Sequence, residues 1–119
     1  MGAATVSSGQ VVFAPGNSDG VGVFNPSTNA FSLVDISSTI STDSKFDGAA
    51  LAPNGLVVFA PNSADGVGVF NPTTNAFSLV DISATISSDY KFQGAATAAG
   101  RVYMAPLSAD GVGVFDAST

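Results

Sequence analysis

One segment occurs three times in the chain and constrains its fold more than any other feature. It reads Asp-Gly-Val-Gly-Val-Phe and begins at Asp19, at Asp65 and at Asp110. The surrounding residues repeat too, with a period of about 45 residues, and the two full copies match at roughly seven positions in ten. A fixed period of this size is typical of repeat architectures, in which one structural unit stacks on its copies. Such close copies indicate recent duplication or deliberate engineering.

The repeat divides the chain into two full units and a partial third. Their predicted bounds are 2–47, 48–93 and 94–119. Short runs of β-branched and aromatic residues between glycine, proline and asparagine turns predict four strands in each full unit, and the third unit lacks the fourth. In the second unit the predicted strands are residues 46–52, 56–60, 67–70 and 77–82.

The predicted strands are apolar on both faces. Val57 and Phe59 point one way, and Val58 and Ala60 the other. A sheet with one wet face would alternate apolar and polar residues, so these sheets are expected to be covered on both sides. Short antiparallel sheets sandwiched between copies of themselves are β-propeller blades. The small residues of the first strand fit the crowded central channel. The predicted fold class is therefore all-β, with blades of four short antiparallel strands.

Within each unit one run resembles the kelch repeat. Residues 67–77 read Val-Gly-Val-Phe-Asn-Pro-Thr-Thr-Asn-Ala-Phe, similar to the Tyr-Asp-Pro-x-Thr-Asn-x-Trp run of kelch blades. Phe77 stands in place of the tryptophan, and Ala60-Pro61 in place of the kelch glycine doublet. The resemblance implies an interaction scaffold, so we expect no catalytic activity. A multivalent carbohydrate-binding lectin is the alternative.

Fewer than three blades cannot close a ring by themselves. Propellers usually have about four to eight blades, and unpaired blades leave apolar faces open. We therefore expect the chain to close its ring by homo-oligomerisation, with itself as partner. A homodimer with six blades is favoured, and a homotrimer with nine is the alternative.

The composition restricts the other partners. The net charge is −6 with only three cations, which argues against nucleic acid and anionic membranes as partners. The chain has no cysteine and no histidine, so we expect no zinc or copper site that needs a thiolate or imidazole ligand. We also expect no cofactor. It shows neither a signal peptide nor an apolar run long enough to span a membrane. We expect a soluble protein, and the sequence indicates neither its compartment nor its ligand.

The repeated aspartates Asp19, Asp65 and Asp110 are the candidate ligand-binding residues. As a group of carboxylates at one rim, they could bind Ca²⁺ or a hydroxyl-rich small molecule or glycan. The simpler interpretation is that Asp-Gly favours a tight turn. We assign no catalytic role and no role as a metal ligand to these aspartates.

Two further carboxylates, Asp35 and Asp81, follow apolar strand residues and are expected to need partners if buried. Backbone N–H groups or the lysines Lys45 and Lys91 would suffice. A catalytic pair with the nearby Asp43 or Asp89 is conceivable, but identical copies favour a structural role. The two lysines are expected to be solvated.

Overall fold

The computed structural model describes residues 2–118, which form three antiparallel sheets joined in sequence. The first sheet contains β1 (Ala3–Thr5), β2 (Val11–Phe13), β3 (Gly20–Asn25) and β4 (Ala30–Asp35). The second contains β5 (Phe46–Leu51), β6 (Val57–Pro61), β7 (Gly66–Asn71) and β8 (Ala76–Asp81). The third contains β9 (Phe92–Ala98), β10 (Arg101–Pro106) and β11 (Gly113–Phe115). Within each sheet, every strand pairs with its neighbours in chain order. No helix in this part of the chain is long and apolar enough to cross a membrane.

Local sequence fixes the turns between strands. Gly55 has a φ of 88° in the turn from β5 to β6, a conformation that side chains with a Cβ disfavour. In the turn from β7 to β8, the side chain of Asn71 accepts a hydrogen bond from the N–H of Thr73 at 2.9 Å. Asn75 ends that turn with a φ of 62°, which asparagine tolerates. These turns make each strand run antiparallel to the one before it.

The inner strands of the second sheet are buried on both faces, as predicted, whereas the outer strand β8 is largely exposed. We call the face that carries Val57 and Phe59 the phenylalanine face, and the opposite face, which carries Val58, Ala60 and Val67, the valine face. All five residues of β6 are buried, which leaves no wet side at the centre of the sheet. The apolar character of both faces therefore predicted the layering correctly.

The sheets stack face to face in one direction. The valine face of the first sheet, with Val12 and Val21, packs against Phe46 and Phe59 of the second. The second sheet presents its own valine face to the phenylalanine face of the third. That core is formed by Val58, Ala60, Val67, Phe92, Val102 and Met104. Because each interface uses equivalent residues, the stack could continue with the same contacts at either end.

Backbones of neighbouring sheets lie close together at three glycines, Gly2, Gly48 and Gly94. A Cβ on Gly2 would lie 2.6 Å from the Cα of Gly48, and a Cβ on Gly48 would lie 2.6 Å from the Cα of Gly94. Only glycine permits such an approach. The glycine ladder, as we call these three residues, runs along the start of β1, β5 and β9. It explains why the first strand of each unit is rich in small residues.

The third sheet has three strands, and β11 is shorter than its equivalent β7. The pairing of β7 with β6 covers only Gly68, Val69 and Phe70, whereas its pairing with β8 extends over Gly66–Asn71. In the third sheet β11 pairs with β10 alone, over Gly113–Phe115. The ends of such a strand depend on a fourth strand, and here they remain irregular.

Candidate functional site

The three repeated aspartates lie at one edge of the sheets, where the turn from the second to the third strand meets the connection to the next sheet. The N–H of Lys45 donates to the carbonyl of Gly16 at 3.0 Å, which fastens the connection after β4 to the turn after β2. The N–H of Lys91 donates to the carbonyl of Asn62 at 2.9 Å in the next unit. We call this edge the acidic rim, defined by Asp19, Asp65 and Asp110.

The expectation of solvated lysines is wrong. Lys45 and Lys91 are fully buried. The Nζ of Lys45 lies 2.9 Å from Asp19 Oδ1 and donates to the carbonyl of Ser18, also at 2.9 Å. Backbone carbonyls and one carboxylate replace water around the ammonium group, which allows a charged side chain to be buried.

The second lysine repeats this arrangement more loosely. The Nζ of Lys91 lies 3.5 Å from Asp65 Oδ1 and donates to the carbonyl of Ala64 at 2.8 Å. In both cases the lysine precedes the first strand of one sheet and the aspartate belongs to the sheet before it. These ion pairs therefore clamp successive sheets together at the rim.

The three aspartates of the acidic rim differ in their ion pairs. Asp19 and Asp65 each pair with a buried lysine while keeping 48% and 64% of their side chains exposed. Asp110 is exposed and forms no ion pair among residues 2–118. The part of the chain that the structure describes has no group of three or more acidic residues placed to hold a metal ion. Ligand binding by these aspartates stays a prediction.

A polar cleft of about 340 Å³ opens on the rim at the second unit. Asp65 and Asp81 line it together with Thr42, Ser83 and the apolar side chain of Leu79. Carboxylates and hydroxyls accept hydrogen bonds, so the cleft suits a ligand that carries hydroxyl groups. The cleft lies beside the ion pair of Lys91 with Asp65, so a ligand bound there would lie next to the interface between two sheets.

Asp35 and Asp81 end the fourth strands and are exposed, so the burial considered for them does not occur. Asp35 accepts a hydrogen bond from the N–H of Ser37 at 2.9 Å, and Asp81 accepts one from Ser83 at 2.8 Å. Capping of backbone N–H groups is thus the role that the structure supports, and the lysines pair elsewhere. No hydrogen bond within residues 2–118 joins Asp35 to Asp43, or Asp81 to Asp89.

These caps make acid sensitivity predictable. The backbone N–H of Ser37 and then its hydroxyl lower the pKa of Asp35 below the ordinary 3.8. The hydroxyl and backbone N–H of Ser83 lower the pKa of Asp81 in the same way. A carboxylate whose pKa is lowered by folding stabilises the fold above 3.8 and loses that contribution as the pH falls through its folded pKa.

We expect the double variant Asp35→Asn/Asp81→Asn to lose less stability on acidification than the unmodified chain. Asparagine still accepts the capping hydrogen bond but does not titrate. The measurement is urea unfolding at several pH values between about 5 and 2. Identical pH profiles for the two proteins would contradict the prediction.

One polar contact between sheets escaped the sequence analysis. Asn62 is buried, and its Nδ2 donates to the carbonyl of Phe92 at 3.1 Å, which joins the second sheet to the third. The sequence does mark this position, because it differs between the units: Gly16 and Leu107 stand at the positions equivalent to Asn62.

Stacked antiparallel sheets in which the innermost strands converge define this fold as a β-propeller. The solved structures that are similar to the chain include two of one lyase. Selenomethionine-substituted virginiamycin B lyase from Staphylococcus aureus matches with a TM-score of 0.80 at 13% identity, over 98% of this chain and 38% of that one. A catalytically inactive variant of the same lyase with quinupristin matches with a TM-score of 0.70 at 11% identity, over 96% and 40%. No known protein family and no curated protein matches the sequence.

These likenesses confirm the predicted fold class and correct one functional expectation. The chain spans about two fifths of the length of the lyase, and at this identity the likeness shows the fold alone. The expectation of no catalytic activity is wrong as an inference from the architecture, because the similar propellers are named as an enzyme. Similarity to a propeller fold is shown, whereas a specific relation to kelch repeats is not.

Proposed function

We propose that this chain is a propeller segment that assembles head to tail with a second copy into a closed ring, which serves as a ligand-binding scaffold. The observation that carries the proposal is the pair of apolar faces at the two ends of the stack. Each end face consists of residues whose repeat equivalents lie between two sheets inside the chain. A second copy would bring these faces together.

The phenylalanine face of the first sheet is open. Phe31 and Leu33 are 57% and 60% exposed. Their equivalents in the second sheet, Phe77 and Leu79, are partly buried against the first sheet. Large apolar side chains gathered on one face are a mark of an interaction surface.

The valine face of the third sheet is open at the opposite end. Val112 is 63% exposed, while its equivalents Val21 and Val67 are 0% and 3% exposed. An apolar groove of about 350 Å³ runs along this face beside Tyr103 and Ala96. The two end faces therefore correspond to the two sides of one internal interface, and complementary faces of that kind join subunits head to tail.

The glycine ladder supports the same arrangement. No atom lies within 4 Å of the Cβ position of Gly94, although the equivalent position of Gly48 meets backbone at 2.6 Å. In the ring, Gly2 of the second copy would occupy that space. Two copies would give six sheets, two of them with three strands, and a trimer would give nine.

The proposal predicts that Gly94→Ala weakens association of the chains by about tenfold or more, since one backbone contact at the seam becomes a clash. Gly100→Ala is the matched control, because Gly100 also has positive φ and open space, 79° against 91° for Gly94. The measurement is the dissociation constant by analytical ultracentrifugation. Equal dissociation constants for both variants would contradict the proposed seam.

A further inference from the structure

A polar pocket of about 290 Å³ lies between the first and second sheets. It is found where the turn after β2 meets the start of β5. Six residues line it: Gly16, Asn17, Ser44, Phe46, Asp47 and Asn62. Both sheets that form the pocket have all four of their strands, so the pocket belongs to a complete interface inside the chain.

The interface between the second and third sheets shows what occupies the equivalent place there. Asn62 is the repeat equivalent of Gly16. Its side chain is buried, and its Nδ2 donates to the carbonyl of Phe92 at 3.1 Å. The equivalent of Phe92 is Phe46, which lines the pocket. Because glycine has no side chain, the first sheet offers no amide group to the carbonyl of Phe46.

Prolines stand opposite both phenylalanines in the sheets. Phe46 pairs in register with Pro61, and Phe92 pairs with Pro106. Proline has no N–H and cannot donate to the strand beside it. Both phenylalanines are buried, and a buried backbone carbonyl that lacks a donor destabilises the fold. A donor from outside the sheet is therefore favourable at both carbonyls, and Asn62 supplies one of them.

The other walls of the pocket are polar and held in place. Oδ1 of Asn17 accepts a hydrogen bond from the N–H of Ser44 at 2.7 Å, which joins the two sides of the pocket. Ser44 and Asp47 are half-buried, and their side-chain oxygens accept hydrogen bonds. The carboxylate of Asp47 repels anions, so a neutral ligand with several N–H or O–H groups is favoured. The volume equals that of roughly ten water molecules, which leaves room for more than a single amide group.

We propose that this pocket binds a small neutral molecule that carries a primary carboxamide. The NH₂ group of the ligand donates to the carbonyl of Phe46, as the side chain of Asn62 donates to the carbonyl of Phe92. The remainder of the ligand meets the polar wall formed by Asn17, Ser44 and Asp47. The site lies within one chain and does not depend on the ring proposed above.

Acetamide is the probe, because it has the atoms of an asparagine side chain from Cβ outward. It is titrated into the isotope-labelled full chain, and NMR records the amide nitrogen of Asp47, which shares a peptide group with the carbonyl of Phe46. We expect a saturable shift with a dissociation constant of about 10 mM or tighter. Acetone has a methyl group in place of the NH₂ and cannot donate, so it should bind at least about tenfold more weakly. Equal binding of the two molecules, or no shift up to about 100 mM acetamide, would overturn the proposal.

Gly16→Asn locates the site. The new side chain would enter the pocket and donate to the carbonyl of Phe46, as Asn62 does in the next interface. The amide nitrogen of Asp47 should therefore shift without any ligand, and acetamide should bind at least about tenfold more weakly than to the unmodified chain. Unchanged acetamide binding in this variant would show that the ligand binds elsewhere, and the proposed pocket would be wrong.

Asn62→Gly makes the reciprocal change. It removes the side-chain donor from the carbonyl of Phe92 and should open a second acetamide site between the second and third sheets. The amide nitrogen of Gln93, which shares a peptide group with that carbonyl, reports binding there. It should respond to acetamide in Asn62→Gly but not in the unmodified chain. A Gln93 signal that does not respond in the variant would contradict the inference that a missing side chain at this repeat position creates an amide site.

Discussion

Replacing Gly48 by alanine is expected to lower the free energy of unfolding by about 3 kcal/mol or more, through backbone strain and overpacking together. Gly48 has a φ of 126°, and an added Cβ would lie 2.6 Å from the Cα of Gly94. Both glycines lie in paired strands, each at an irregularity of the pairing register, so relief of this contact would have to displace a strand. The measurement is chemical unfolding of the two proteins at equal concentration.

Gly55→Ala separates the two causes. Gly55 has a φ of 88°, but no atom lies within 4 Å of its Cβ position. Its replacement should cost only the conformational part, about 1 kcal/mol. If both variants lose the same free energy of unfolding, Gly48 contributes only its preferred φ. Close approach of the sheets would then not explain why the first strands are rich in small residues.

The second large effect is expected at the ion pair of the buried Lys45 with Asp19, which we call the lysine clamp. Asp19→Asn should lower the free energy of unfolding by about 2 kcal/mol, because it leaves the buried ammonium of Lys45 without a counter-charge. Loss of one partner from a fully buried pair costs more, about 3–5 kcal/mol. The smaller value is expected here because Asp19 is 48% exposed and water screens the pair.

Asp110→Asn is the matched control for the clamp, since it makes the same change at the same repeat position. Asp110 is exposed and without an ion pair among the described residues, so its replacement should change stability by less than about 0.5 kcal/mol. Thermal or urea unfolding of the two variants measures the difference. Equal effects would mean that the ion pair with Lys45 does not hold the sheets together.

The sequence predicted the layers of the fold because its signals are local. Strand β6 is apolar at consecutive positions, and a strand with that pattern needs a cover on each side. The predicted strand 77–82 and the observed β8 (Ala76–Asp81) differ by one residue at each end. Turns at Gly55 and Asn75 gave the boundaries, since glycine, which lacks a Cβ, and asparagine both accept the positive φ that these turns require.

The candidate site was less predictable because its contacts join different units. Lys45 was expected in solvent, as lysine usually is. Its burial depends on the carbonyl of Ser18 and the carboxylate of Asp19, and no local pattern reveals that these groups lie together. The exposed Asp35 was misjudged for the opposite reason: apolar neighbours in sequence suggested burial, but the strand ends there.

The measurement that tests the central claim most directly is the mass of the unmodified chain in solution, by light scattering on a sizing column. The proposed ring predicts a mass of two chains that persists on dilution to micromolar concentration. A mass of three chains would keep a closed ring but change the number of sheets. A stable monomer, with Phe31 and Val112 remaining open to water as in the single chain, would contradict ring closure by a second copy.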